Sequence, residues 1–104
     1  MGFLFSCTTP RTIINTESIS YSEVILNGTY QGTNLFVQNP FYENNFCAVC
    51  VAVNDSILID STQLQVSAFE IDLNRFGLNI NDSVTIKIKH HSDCLPKVLN
   101  NVVR

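Results

Sequence analysis

Two stretches of the chain alternate strictly between apolar and polar residues. In one, polar residues separate Val84, Ile86 and Ile88, and in the other the same spacing runs from Phe69 to Leu73. A period of two places one set of side chains on a buried face and the other set in solvent, as in a strand of a half-solvated antiparallel sheet. The sequence therefore predicts strands at residues 66–73 and 84–90.

The remaining apolar segments are short, and turn signals separate them. Residues 46–53 are almost continuously apolar and rich in β-branched side chains, which is typical of a central strand covered on both faces. Asn27-Gly28 is a strong two-residue hairpin signal, predicted to join a strand at residues 18–26 to a return through residues 29–30. Further strands are predicted at residues 13–14, 35–38, 57–59 and 98–103, with turns at Asn39-Pro40 and Asn54-Asp55.

These segments amount to roughly seven or eight short strands with a turn signal about every ten residues, which is the pattern of a sandwich. The sequence therefore predicts an all-β fold, an antiparallel immunoglobulin-like β-sandwich. The linker at residues 73–84 resembles the corner at which immunoglobulin-like and fibronectin-like chains cross between sheets. In it Asp82 is predicted to cap the turn, and the apolar anchors expected to fill the bottom of the core are Leu73, Phe76, Leu78 and Ile80.

Size and composition favour one small domain and argue against a nucleic-acid partner. The chain has 104 residues, of which 45% are hydrophobic and 14% charged, so apolar content is ample for a core. The formal net charge is −3 and the six Lys and Arg residues are scattered, whereas phosphate binding depends on clustered basic residues. No segment approaches the ~20 apolar residues needed to span a membrane.

The first residues resemble the end of a bacterial lipoprotein signal. Leu4-Phe5-Ser6-Cys7 has an aliphatic and a small residue at the expected places, although Phe5 departs from the pattern and no basic region precedes it. This interpretation predicts a truncated signal remnant and tether at residues 1–11, a lipid on Cys7 and a single β-sandwich domain at residues 12–104. The protein would lie in the periplasm or at the outer membrane, or be secreted, touching a membrane only through that anchor. The alternative is an apolar N terminus with an incidental cysteine.

Three stretches together resemble small envelope proteins and domains of Bacteroidota. They are Asn34-Leu-Phe-Val-Gln-Asn-Pro-Phe41, Ser67-Ala-Phe-Glu-Ile-Asp-Leu73, and Val84-Thr-Ile-Lys-Ile-Lys-His90 leading to Cys94-Leu-Pro-Lys-Val-Leu-Asn100. The resemblance carries no catalytic motif, and it implies a bacterial envelope setting and a β-sandwich. Cys47 and Cys94 are the two cysteines that match the pattern of these proteins, and Cys50 is an extra cysteine relative to it.

The cysteines allow more than one arrangement on their own. Cys47-Ala-Val-Cys50 lies in a predicted strand, where residues three apart point to opposite faces and cannot easily pair or share a metal. Either one of them bonds Cys94 on a neighbouring strand, or both are small buried hydrophobes. Of these we expect the Cys47–Cys94 disulfide, which closes a loop of about 45 residues and contributes about 3–4 kcal/mol in the chain-entropy model.

Two other groups have chemistry-bearing side chains. His90, His91 and Cys94 are metal-capable types, but adjacent histidines at a strand end diverge, and a solvated strand end is the alternative interpretation. Glu70 and Asp72 lie two apart on one face, and we expect a cross-strand charge pair with Lys87 or Lys89 in place of glycosidase chemistry. This expectation follows because nothing nearby supplies a raised pKa or a sugar-binding cleft.

The best candidate for an exposed contact surface is the group of aromatic residues beside a polar loop, Phe41, Tyr42 and Phe46. Packing beneath the loop would instead account for at least two of them.

We therefore expect a noncatalytic envelope domain without cofactor or metal, with a structural role or a protein or glycan partner. The competing hypothesis is a metal-binding or enzymatic accessory protein that uses His90, His91 and Cys94. Assembly through an exposed edge strand at residues 98–103 is a third possibility.

Overall fold

The computed structural model describes residues 21–42, 44–59 and 64–104, and within these ranges the regular structure is strands apart from one short 3₁₀-helix. The elements are β1 (Tyr21–Thr29), β2 (Leu35–Gln38), β3 (Phe41–Tyr42), β4 (Asn45–Phe46), β5 (Ala48–Val53), β6 (Ser56–Ile59), β7 (Ala68–Ile71), a 3₁₀-helix (Leu73–Phe76), β8 (Ser83–His91) and β9 (Lys97–Val98). The predicted all-β class is confirmed.

Most of these strands belong to two antiparallel sheets. A four-stranded sheet has the order β1-β8-β5-β6, a three-stranded sheet has the order β7-β2-β9, and β3 and β4 form a separate hairpin. Along β8, buried and half-buried residues alternate from Val84 to His91, as the sequence pattern predicts. β5 lies between β8 and β6 and is buried at nearly every residue, so its predicted central position is also confirmed.

The apolar faces of both sheets contribute to one hydrophobic core. The four-stranded sheet supplies Val51, Ile86 and Ile88, and the three-stranded sheet supplies Leu35 and Val37, all of them fully buried. Burying one Val, Leu or Ile side chain contributes roughly 1.5–3 kcal/mol, so the buried residues of both sheets stabilise the fold. Residues outside the strands complete the core, and they include Tyr30, Leu64, Leu73, Leu78 and Val102.

The predicted hairpin turn at Asn27-Gly28 is wrong. Both residues lie inside β1, where Gly28 is paired with Val84, and the predicted return at residues 29–30 does not exist. The glycine serves close packing, because a Cβ built on Gly28 would lie closer than 3.0 Å to the carbonyl oxygen of Arg104. Residues 102–104 run antiparallel beside residues 29–31, with both backbone hydrogen bonds between Thr29 and Arg104 formed at 3.0 and 3.1 Å.

The strand end predicted at Asn39-Pro40 and the turn predicted at Asn54-Asp55 are confirmed. β2 ends immediately before Asn39-Pro40. Asn54 and Asp55 have φ values of 51° and 69° and join β5 to β6 as a two-residue hairpin in which Val53 pairs with Ser56. Both central residues of such a turn need positive φ, which Asn and Asp tolerate.

The predicted corner between β7 and β8 is partly confirmed. Asp82 accepts a hydrogen bond from the Asn79 backbone N–H at 2.8 Å and so caps the turn. Of the expected anchors Leu73 and Leu78 are buried, whereas Phe76 and Ile80 are exposed and do not fill the core.

The strand predicted at residues 98–103 is only partly present. β9 ends at Val98 and is an edge strand of the three-stranded sheet, and further along the chain Val103 forms a bridge with Tyr30. The strand predicted at residues 13–14, the tether at residues 1–11 with Cys7, and the domain boundary at residue 12 lie outside the described residues. None of the residues described here forms a helix with the length and hydrophobicity of a membrane span.

Because the backbone of Arg104 lies so close to Gly28, we expect that any side chain at position 28 destabilises the fold. Gly28→Ala should lower the free energy of unfolding by about 1–3 kcal/mol, because the new methyl group must displace backbone atoms. Urea denaturation measures this change. Deletion of Arg104 is the control background, in which the same substitution should cost much less; an equal cost in both backgrounds would contradict the packing explanation.

The burial of Tyr30 leads to a second prediction, about the pH dependence of stability. Its side chain is 1% exposed, and its hydroxyl has no hydrogen-bond partner in the described structure. Burial, and then the Asp72 carboxylate, raise the pKa of Tyr30 above 10.0. The folded state therefore favours the neutral form of Tyr30. The contribution of this preference to the free energy of unfolding is complete below pH 10.0 and is lost as the pH rises above it.

Tyr30→Phe should leave stability at pH 7 unchanged or raise it by about 1 kcal/mol, because it removes an unpaired buried hydroxyl. The stability of this variant should also fall less steeply above about pH 10 than that of the unmodified chain. Urea unfolding at both pH values measures the effect, with Tyr21→Phe as the control at a half-buried tyrosine. A marked loss of stability at pH 7 would contradict this account.

Candidate functional site

A buried asparagine fixes the end of the molecule where the predicted contact surface lies. Asn39 follows β2, and its side-chain N–H donates to the Leu64 carbonyl oxygen at 2.8 Å while its Oδ1 accepts from the Ala48 N–H at 2.8 Å. Its own backbone N–H donates to the Ser67 carbonyl oxygen at 2.8 Å. The amide thus joins the end of β2 to the start of β5 and to residue 64.

The predicted Cys47–Cys94 disulfide is confirmed, with the two Cα atoms 6.0 Å apart. Cys47 lies between β4 and β5, and Cys94 lies in the turn that follows β8. The Cys47 N–H donates to the Pro40 carbonyl oxygen at 2.8 Å, and the His91 N–H donates to the Cys47 carbonyl oxygen at 3.0 Å. The disulfide therefore fastens the base of the β3–β4 hairpin to the turn after β8.

Cys50 is disulfide-bonded as well. The alternative in which Cys47 and Cys50 are buried thiols is excluded. Cys50 is paired with Lys89 across the sheet and is fully buried. Because Cys47 is bonded to Cys94, the C-x-x-C sequence does not form a disulfide within itself.

The β3–β4 hairpin presents two of the three predicted contact residues together. Phe41 and Phe46 are directly opposite each other, with ring centroids 5.1 Å apart and ring planes at 82°. Edge-to-face pairs of this kind contribute about 0.5–1.5 kcal/mol beyond the burial of their area. Phe41 is 63% exposed, whereas Phe46 is half-buried. Phe41 is thus the exposed ring of the pair, and Phe46 packs edge-to-face against it.

Tyr42, the third predicted contact residue, makes a different set of contacts. Its hydroxyl donates to the Asp93 carboxylate at 2.9 Å, and its ring lies 5.0 Å from the ring of His91. The Tyr21 ring lies 5.2 Å from the same histidine. Tyr42 therefore anchors the hairpin to the end of β8.

An open groove runs beside the exposed ring of Phe41 and has a volume of about 550 Å³. Phe41, Phe46 and Leu95 supply large apolar side chains, and Lys97 is the charged residue in the lining. The remaining lining residues are Gln38, Asn39, Pro40, Ser67 and Ala68. The groove is thus mainly apolar, with one cation beside it.

The structure does not bring His90, His91 and Cys94 together as a set of metal ligands. His90 is buried, with Nδ1 2.7 Å from the His91 carbonyl oxygen. The ring of His91 lies 5.2 Å from the ring of Tyr21 and 5.0 Å from that of Tyr42. Cys94 is oxidised in the disulfide. Among the described residues no group of three or more His, Cys, Asp and Glu side chains is arranged to hold a metal ion.

The predicted charge pair between the Glu70 strand and the lysine strand is wrong. The 3₁₀-helix carries the chain from β7 in one sheet to β8 in the other, so the two strands are not neighbours. Glu70 accepts a hydrogen bond from the Asn34 amide, and Asp72 caps the 3₁₀-helix by accepting from the Asn74 N–H at 3.1 Å. Lys89 lies opposite Glu23, with its Nζ 4.9 Å from the centroid of the Tyr21 ring.

Sequence reasoning missed three residues that build this site: Asn39 as a buried link, and Leu95 and Lys97 as groove lining. Asn39 precedes a proline, so its local pattern indicates only a turn. Leu95 and Lys97 flank Pro96 in an irregular segment without periodicity, and no local signal distinguishes them from solvated loop residues.

A comparison of the chain with protein-family models finds no match, and neither curated proteins nor solved structures match it.

The bridging role of Asn39 predicts a large loss of stability on truncation. Asn39→Ala should lower the free energy of unfolding by about 2–4 kcal/mol, because it leaves the Leu64 carbonyl and the Ala48 N–H buried without partners. Denaturant titration measures the change. Asn74→Ala, at an exposed asparagine, is the matched control and should change stability by less than about 0.5 kcal/mol; similar losses in both variants would refute the role of Asn39.

Proposed function

We propose that this chain is a noncatalytic domain of the bacterial cell envelope that binds a protein segment in the groove beside Phe41. The observation that carries the proposal is the combination of an exposed aromatic ring with a groove whose walls are fixed. The Cys47–Cys94 disulfide and the Tyr42–Asp93 hydrogen bond hold the hairpin and the turn after β8 in place. A preformed apolar site needs little ordering when it binds.

An immunoglobulin-like sandwich is the form that we propose for the fold. In such sandwiches the second and fifth strands pair in one sheet and the third and sixth pair in the other. Here β2 pairs with β7 and β5 pairs with β8, which gives the same connections when the small hairpin is left out. Of the described strands, β1, the first, lies beside β8, and β9, the last, lies beside β2, whereas those folds place the first strand beside the second and the last beside the sixth.

A protein segment suits the groove better than a glycan does. A sugar needs several convergent polar groups, but both hydrogen-bonding ends of the Asn39 amide are already used within the fold. Gln38 and Ser67 are the other neutral polar residues in the lining. The apolar walls and Lys97 fit a large apolar side chain next to a carboxylate.

The envelope location rests on the disulfides, which persist in oxidising compartments, and on the resemblance to Bacteroidota envelope proteins. The resemblance of residues 4–7 to a lipoprotein signal also predicts a lipid on Cys7, which would leave Cys50 without a disulfide partner within this chain. The chain has four cysteines, Cys47 is bonded to Cys94, and Cys50 is also disulfide-bonded. Lipidation of Cys7 and a second disulfide within the same chain therefore exclude each other.

Mass spectrometry of the protein from its native host separates these two states. A lipidated Cys7 adds the mass of the lipid and leaves a gain of about 2 Da on full reduction, one disulfide's worth of hydrogen. Two disulfides give a gain of about 4 Da and no lipid mass, which would contradict the anchor.

Binding in the groove is tested by screening the disulfide-intact protein against a displayed peptide library and a glycan array. We expect peptides with an aromatic or large aliphatic residue next to Asp or Glu. Phe41→Ala should weaken binding of a selected peptide by about tenfold or more, as for a residue at the centre of an interface. Phe76→Ala removes another exposed ring, outside the groove, and should leave affinity unchanged. Glycan binding without peptide binding, or equal effects of the two variants, would overturn the proposal.

A further inference from the structure

The outward face of the three-stranded sheet exposes large apolar side chains. Phe36 is 41% exposed and Leu99 is 49% exposed. The two residues are neighbours, because the Leu99 N–H donates to the Phe36 carbonyl oxygen at 2.9 Å. Contiguous apolar side chains on a sheet face are typical of an interaction surface.

Charged residues lie at two corners of this face. Glu70 is directly opposite Phe36 on one neighbouring strand, and Lys97 is directly opposite Gln38 on the other. The outward side chains form two rows of three across the strands, Glu70-Phe36-Leu99 and Ala68-Gln38-Lys97. Glu70 and Lys97 therefore occupy diagonally opposite corners of the face.

We propose that this face binds a second copy of the chain. A two-fold axis in the plane of the face, along the diagonal from Ala68 to Leu99, places each Glu70 against Lys97 of the second copy. The same operation brings the two Leu99 side chains together and sets each Phe36 between Leu99 and Lys97 of the other copy. The face is thus complementary to itself in both charge and apolar character, which is what a two-fold interface requires.

The size of the face indicates a weak dimer. Stable interfaces use about 20–30 residues on each side, far more than these two rows contain. We therefore expect association in the micromolar to millimolar range. Three residues of the face, Gln38, Ala68 and Lys97, also line the groove, so a second copy and a groove ligand compete.

Sedimentation equilibrium on the disulfide-intact chain, from about 10 μM to about 1 mM, covers the range in which such an interface associates. The fraction of dimer should rise with concentration. Leu99→Glu should abolish the rise, whereas Ile80→Glu, the matched change at another exposed apolar residue, should leave it intact. A wild-type chain that stays monomeric throughout, or equal association of the two variants, would overturn the proposal.

Charge reversal tests the predicted geometry. Glu70→Lys and Lys97→Glu should each be monomeric, because each sets like charges together at both contacts. An equimolar mixture of the two variants should dimerise again, since opposite charges then meet twice, although at low saturation it forms only about half as much dimer as the wild type because neither homodimer forms. Circular dichroism confirms that each variant folds, which matters because Glu70→Lys also removes the hydrogen bond from Asn34. Failure of the mixture to associate, with both variants folded, would refute the two-fold arrangement.

Discussion

The buried amide of Asn39 is the constraint on which the arrangement of the site depends. Asn39 directly follows β2, and its side chain makes hydrogen bonds to the backbone of residue 64 and to the first residue of β5. Such bonds are strong where water is excluded, and a lost partner leaves a costly unpaired group. The chain between Asn39 and Ala48 must therefore leave one sheet and enter the other at fixed points, and the intervening residues form the hairpin that holds Phe41.

The Cys47–Cys94 disulfide restrains the same hairpin through a second long-range link. It connects the base of the β3–β4 hairpin to the turn after β8, and in the chain-entropy model its 47-residue separation corresponds to about 4 kcal/mol. Because Leu95 directly follows Cys94, the same link places the second apolar wall of the groove. The groove is thus a product of two long-range connections.

The sequence pattern predicts much of the fold because alternation reports which face of a strand is buried. It fails where a distant contact overrides a local signal. Asn27-Gly28 and Asn54-Asp55 are both turn signals, yet only the second forms a turn. Gly28 is needed because Arg104 passes beside it, and no window around residue 28 contains that information. The predicted pairing of Glu70 with a lysine fails similarly, because the pattern does not show which sheet each strand joins.

The same limit applies to the site. Phe41 and Phe46 could be predicted because aromatic residues on both sides of a polar loop are close in the chain. Lys97 could not, because its place in the groove depends on the pairing of β9 with β2.

Amide hydrogen exchange at Ala48 tests the central constraint most directly, because its N–H is the group that the Asn39 side chain binds. The account predicts that the Ala48 amide exchanges as slowly as the amides of Ile86 and Ile88 in the core of the four-stranded sheet. Exchange of Ala48 as fast as that of the exposed turn residue Asn44 would contradict it.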